Sequence, residues 1–204
     1  MVQVSAAVLA GGASRRMGVD KRGLMIDHQT LLSRAVRTAL AVSEDVMVVV
    51  ARERQVDGHM LEGLRWRQVM DRRANAGPLA GLEAALAAAS HPMVVALPID
   101  APALTPALLR LLIDRTLASG AAGGVFMSDA GPQPLPCVLS RSALPQLRTL
   151  LDAGDRRLGS VPRLVPITMV DEVEWRTCDP SARWLMNINR PSDLVEFRRR
   201  KAES

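Results

Sequence analysis

Apolar residues fall along this chain in two alternating rhythms. Val2 to Leu9 is a largely apolar run interrupted by Gln3 and Ser5, with Val46 to Val50 and Met93 to Leu97 as further runs. Runs of that length, rich in β-branched residues and not alternating, predict strands covered on both faces. Leu64 to Met70, Ala122 to Met127, Pro136 to Leu139 and Pro166 to Val170 predict further, weaker strands. Between them the spacing changes to the helical period. Thr30 to Ala41 carries Leu31, Leu32, Ala35, Val36, Ala39 and Leu40 on one side. Pro78 to Ala89 predicts a helix with proline at its first position, and Thr105-Pro106 opens another that runs to about Ala118. Arg141 to Ala153 and Pro191 to Arg200 complete the helical segments.

Strands that alternate with helices predict a mostly parallel sheet wrapped by helices on both sides. In such a sheet, ligands bind beyond the carboxyl ends of the strands. Polar residues follow apolar strands at three places: residues 10–21, Asp71 and Asp100. The fold reading brings all three to one crevice. The Pro/Gly-rich stretches 98–106 and 131–136 are expected to be loops within one domain spanning 1–204.

Composition narrows the field. Of 204 residues, 48% are hydrophobic and 23% charged, which marks a globular chain with a full core. Tyr is absent and Phe and Trp are few, so a face of stacked aromatics for single-stranded nucleic acid is not expected. The formal net charge of +5 suits anionic ligands in general, and part of it lies in the run Arg198 to Lys201, expected to be a frayed, solvated tail. Cys137 and Cys178 have no partner at metal-ligand spacing and read as free thiols. No apolar stretch has membrane-spanning length and the first residues lack a signal peptide pattern, so a cytoplasmic location is expected.

The strongest local signal is the segment from Leu9 through Ala10, Gly11 and Gly12 to Arg15, Arg16 and Lys21. Glycines let a backbone approach a ligand closely, and successive N–H groups there form a nest for an anion. Arginine and lysine add charge-assisted bonds to phosphate oxygens. The segment is not a P-loop, because Lys21 is preceded by Asp20 and followed by Arg22. It is not the dinucleotide fingerprint either, because Gly11 and Gly12 are adjacent and arginines follow.

This string resembles the signature of the molybdenum cofactor guanylyltransferases, within the Rossmann-like nucleotidyltransferases. Asp71 with Gly77-Pro78-Leu79-Ala80-Gly81-Leu82 resembles the family's second block, and Pro98-Ile99-Asp100-Ala101-Pro102 its metal-binding block. Gln133-Pro134-Leu135 is similar to a substrate-side segment; Gly154-Asp155-Arg156-Arg157 and Asn187-Ile188-Asn189-Arg190-Pro191 are similar to blocks near the end. The resemblance implies a three-layer α/β fold. It implies transfer of GMP from GTP to the terminal phosphate of molybdopterin or its molybdenum-loaded form, with release of pyrophosphate. Lys21, Arg16 and Asp100 would carry the chemistry, with Asp100 holding Mg²⁺. Leu9, Ala10, Gly11, Gly12, Lys21, Asp71, Gly77 and Asp100 would bind the nucleotide. Arg156, Arg157, Asn187 and Asn189 would bind the pterin, giving a nucleotide half followed by a pterin half. Proteins that deliver the cofactor or accept it would be the protein partners; neither nucleic acid nor a membrane is implied.

The attacking phosphate oxygen is anionic near neutral pH, so positioning and charge neutralisation, rather than a general base, are expected to drive the reaction. Asp71 is expected to accept from the donors on guanine. Related cytidylyltransferases carry Ala-Ala-Gly where this chain has Ala10-Gly11-Gly12, and the missing methyl would leave room for a purine. The chain departs from the family pattern at Ile99, where Cys is frequent, near Ala51-Arg52, where Asn is frequent, and at Arg190, where a Thr helix cap is common. The rival readings are a nucleotidyltransferase that uses CTP or a sugar phosphate, a silent nucleotide-binding relative, and a nucleic-acid-binding module.

Overall fold

The computed structural model describes residues 3–11, 20–51, 56–73 and 76–202. Its centre is a seven-stranded sheet. In chain order the strands are β1 (Val4–Leu9), β4 (Asp45–Ala51), β5 (Arg67–Asp71), β6 (Met93–Pro98), β7 (Gly123–Ser128), β8 (Gly131–Ser140) and β9 (Ile167–Val170), while β2 (Met25–Ile26) and β3 (Gln29–Thr30) form a separate small hairpin. The helices are α1 (Leu31–Leu40), α2 (Gly77–Ala88), α3 (Pro106–Ser119), α4 (Leu144–Asp152), α5 (Glu172–Arg176) and α6 (Pro191–Ala202). Across the sheet the strand order is β5-β4-β1-β6-β8-β7-β9. The first four strands run parallel. β8 is antiparallel to both β6 and β7, and β9 returns to run parallel to β7. The mostly parallel, helix-wrapped sheet expected from the apolar runs is therefore present.

The reason lies in those runs. Val4 through Val8 in β1, Val46 through Val50 in β4 and Val94 through Leu97 in β6 are all buried. A strand with both sides apolar needs a cover on each face, and two layers of helices supply it. One face packs α1 and α3 with Trp175 and Trp184; the other packs α2, α4 and the segment around Leu158 to Val165. Helix ends follow their sequence signals. Thr30 caps α1 by accepting from Ser33 N, and Thr105 caps α3 with Pro106 at its first position and Gly120 left-handed after its end.

The stretch 131–136 is not a loop but the first part of β8. Gln133 pairs with Phe126, yet the next paired residue after it, Cys137, sits opposite Val125. Residues 134–136 thus form a bulge, which is where prolines that cannot donate are tolerated in a strand. The basic run Arg198 to Lys201 is not a frayed tail either. It continues α6, with Phe197 buried and Arg199 and Arg200 both bonded to Glu196. Phe197 packs with Ile26, Leu31 and Ile188 in a third, small core that joins the hairpin, α1 and the C-terminal segment.

At the amino ends of the strands lies a polar cluster that the apolar pattern hides. Asp45 accepts from Ser5 Oγ at 2.6 Å, from Arg67 Nε at 2.9 Å and from Ser90 N at 3.0 Å. Burial opposes ionisation of Asp45, but the bonds from Arg67, Ser5 and Ser90 outweigh it and hold the carboxyl well below the ordinary value of 3.8. A lowered folded-state value contributes stability above the unfolded value, and that contribution is lost as pH falls. Arg67 is 41% exposed, so solvent screens part of the effect. Asp45→Ala is expected to lower unfolding free energy by about 2 kcal/mol at neutral pH. In urea titrations at several pH values, the gap from the parent protein should narrow once pH falls below 3.8.

Candidate active site

The parallel strands β5, β4, β1 and β6 end at the same edge of the sheet, and the chain reverses its direction of winding between β1 and β6. At such a switch point the loops that leave two neighbouring strands part in opposite directions and open a crevice. Leu9 and Ala10 close β1, with Ala10 N bonded to Val49 O of β4 at 2.8 Å. Gly11 follows at the rim. A methyl added there would stand 3.3 Å from Ala51 N, so glycine lets this loop lie against the end of β4. The space that the missing methyl leaves is thus directed at the β4 backbone. Gly12, Arg15, Arg16 and Arg52 lie outside the described residues.

Lys21 opens a short 3-10 turn, Lys21–Gly23, which Asp20 caps by accepting from Arg22 N at 3.0 Å. From that turn the Lys21 ammonium donates to Asp100 Oδ2 at 3.2 Å and to Asn189 Oδ1 at 2.7 Å. Asp100 sits on the turn that follows β6. Arg34 of α1 donates to Pro102 O at 2.7 Å, and Ile188 N donates to Asp100 O at 2.8 Å, so the turn is pinned from two sides. Ile99 is buried, in keeping with a residue that only packs. Lys21 and Asp100 side chains are 14% and 23% exposed, screened but still open to a ligand.

Asp71 ends β5 opposite Ala51. Its Oδ1 accepts from Arg73 N at 2.7 Å. Burial raises its pKa, against the pull of that backbone bond. Gly77 begins α2 with φ +69°, and a methyl there would stand 3.1 Å from Arg156 O. The start of α2 and the Arg156 segment are therefore in direct contact, a juxtaposition that needs glycine. Arg156 is exposed. Arg157 is engaged with Asp155, its Nε at 3.2 Å from Oδ1. Hydrogen bonds from Arg157 and Ser160 hold the Asp155 carboxyl well below its ordinary range.

Of the residues read as pterin ligands, Asn187 is exposed, while Asn189 is turned to Lys21. Arg190 lacks a capping side chain, but Asp193 of the first turn of α6 accepts from both Arg190 N and Asn189 N, each at 2.8 Å. That is the back-bond of a capping box, supplied from inside the helix. A further cavity of about 240 Å³ lies against β7, β8 and β9, lined by Leu82, Val125, Gln133, Cys137, Leu158 and Met169. Burial pushes the Cys137 thiol up to about 12, so it stays protonated and inert at neutral pH.

Among the described residues no cluster of three or more His, Cys, Asp or Glu could hold a metal alone. A single carboxylate at Asp100 instead suits a hard cation that takes most of its ligands from phosphate and water, as Mg²⁺ does. Among the described residues no helix is long and apolar enough to cross a membrane.

A cation and a carboxylate face each other at the switch point of this sheet, an arrangement suited to a phosphate-bearing ligand. Comparison with known proteins gives the finer assignment. A model of the MobA-like NTP transferase domain matches residues 6–166. The chain is 34% identical over 202 residues to a probable molybdenum cofactor guanylyltransferase of Chloroflexus aggregans, covering 95% of this chain and 92% of that one. It is 32% identical to a protein so described from Deinococcus radiodurans, covering 100% and 98% of the two chains. The crystal structure of molybdopterin-guanine dinucleotide biosynthesis protein A from Archaeoglobus fulgidus superposes with a TM-score of 0.85 at 23% identity, covering 98% of this chain and 100% of that one. The chain belongs to the MobA-like NTP transferase family, and to its molybdenum cofactor guanylyltransferases.

Proposed function

We propose that this protein transfers GMP from GTP to the terminal phosphate of molybdopterin, or of its molybdenum-loaded form, and releases pyrophosphate. The observation that carries the reading is the contact between Lys21 and Asp100 where β1 and β6 part. It supports a site where one triphosphate meets a fixed positive charge and a carboxylate able to hold a divalent cation. The family of the chain and the guanylyltransferase descriptions of its relatives support the choice of substrates.

In this reading Gly11 and the residues that follow it cradle the phosphates through backbone N–H groups. Lys21 stabilises charge that develops on the α-phosphate, and Arg16 holds the departing pyrophosphate. Asp100 binds Mg²⁺, which when present neutralises phosphate charge. The acceptor phosphate attacks the α-phosphorus, its P–O bond forms as the bond to the pyrophosphate oxygen breaks, and no proton need be removed from the nucleophile. Asp71 accepts from guanine N1–H and its amine, and a base without those donors leaves a half-buried carboxylate poorly paired. Leu9, Ala10, Gly12 and Gly77 line the nucleotide, and Arg156, Arg157 and Asn187 lie on the pterin side.

The test is pyrophosphate release from a panel of nucleotides with Mg²⁺ and molybdopterin. Release with GTP, dependent on both Mg²⁺ and acceptor, is the expected result. Equal or faster release with CTP, or release only with a sugar phosphate as acceptor, would overturn the assignment. Binding of GTP without turnover would identify a silent relative.

A further inference from the structure

One side chain of α1 reaches both segments that deliver the candidate site. Arg34 touches the hairpin that follows Lys21 and the turn that carries Asp100. We propose that Arg34 is a positioning residue, a brace that sets where the Asp100 turn stands relative to the Lys21 segment. The inference rests on the function proposed above for Asp100, and it names a residue outside the nucleotide contacts that keeps this carboxylate in place.

Three observations carry it. First, Arg34 Nε donates to Pro102 O at 2.7 Å, two residues past Asp100. Pro102 is buried, and among the described residues no other group donates to that carbonyl. A charged donor on a buried carbonyl makes a strong bond, and without it the oxygen is left unpaired or must turn towards water. Second, Arg34 Nη1 lies 3.6 Å from Asp27 Oδ2 at the tip of the β2–β3 hairpin. The base of that hairpin is bonded to the Lys21 turn, through Leu31 N to Leu24 O at 2.8 Å and Leu24 N to Lys21 O at 3.1 Å. The Lys21 turn, the hairpin and the start of α1 thus form one hydrogen-bonded unit, and Arg34 ties it to the Asp100 turn. Third, a guanidinium is a rigid planar fork that holds two acceptors at a set spacing. The Arg34 side chain is only 29% exposed, so water competes little for either contact.

The test pairs a structural reporter, which needs no turnover, with steady-state kinetics. Ile188 N donates to Asp100 O from the side away from α1, so its amide resonance reports where the turn stands. In Arg34→Met, which keeps the apolar stem and loses the donors, the Ile188 amide proton is expected to move upfield as its bond lengthens. The amide of Val8, in the middle of β1, should hold its position. With GTP, Mg²⁺ and molybdopterin, kcat should fall by roughly ten- to one-hundred-fold, the scale of a displaced catalytic group. In an Asp100→Ala background the same substitution should leave the residual rate unchanged, because its effect passes through Asp100. Arg34→Lys has one donor group in place of a fork. It should shift both readouts the same way by less, and it decides the matter if the methionine protein folds poorly. An unmoved Ile188 resonance, a kcat within about two-fold of the parent, or an equal fall without Asp100 would each overturn the proposal. Should the parent protein fail to transfer guanylyl groups, the functional assignment falls, and the Ile188 resonance still decides the brace.

Discussion

Asp100→Ala and Lys21→Ala are each expected to lower guanylyl transfer by about three orders of magnitude, with the fold retained. Each removes a group proposed to meet charge that grows in the transition state, so the loss should appear mainly in kcat. Stability should change little. The pair is part-exposed, so unfolding free energy is expected to shift by no more than about 1 kcal/mol. The double variant is informative as well. If both groups serve one triphosphate, their losses will not add, and Lys21→Ala/Asp100→Ala will turn over nearly as fast as the worse single variant. Stopped-assay pyrophosphate release beside urea denaturation measures both quantities. Near-parent turnover in Asp100→Ala with Mg²⁺ present would remove the carboxylate from the proposed chemistry.

Trp184→Ala is expected to cost about 3–5 kcal/mol of unfolding free energy, the largest stability effect of any substitution considered. Trp184 is 2% exposed and packs tilted on Phe126 at 5.0 Å between ring centres and edge-on to Trp175 at 5.5 Å. Such pairs add to the burial of ring surface itself. Trp175 Nε1 donates to Met127 O at 2.7 Å, but among the described residues Trp184 Nε1 has no acceptor. Trp184→Phe removes that unsatisfied donor while it keeps most of the packing, and should cost less than half of the alanine change. Chemical denaturation separates the two. Trp175, Trp184, Phe126 and Phe197 are thus core residues, and Trp66 is half-buried.

The alternation of apolar runs and helical spacing made most of this fold legible, because a strand covered on both faces has few polar residues to blur it. The sequence was misleading where backbone geometry, not side-chain polarity, decides the outcome. Residues 131–136 carry prolines that signal a loop, yet a bulge admits them to β8. The β2–β3 hairpin turns on Asp27 and His28, both at positive φ, without the glycine that usually marks such a turn. The site divides in the same way. Lys21, Asp71 and Asp100 stood out because each follows an apolar strand and resembles a family block. The partnership of Lys21 with Asn189 spans 168 positions, and no local spacing could announce it. The Asp45 cluster went unread since a serine inside an apolar run and an aspartate at a strand's start are unremarkable until folding joins them.

The match to the MobA-like domain model stops at residue 166, and the last strand is complete by Val170. A fragment cut at that border would own nearly every hydrogen bond of the sheet. It would still lack the two indoles that close one layer, the backbone donor beneath Asp100 and the amide that meets Lys21. For anyone who excises, fuses or swaps this unit, the working boundary therefore lies past the start of the final helix, well beyond the end of the matched domain model.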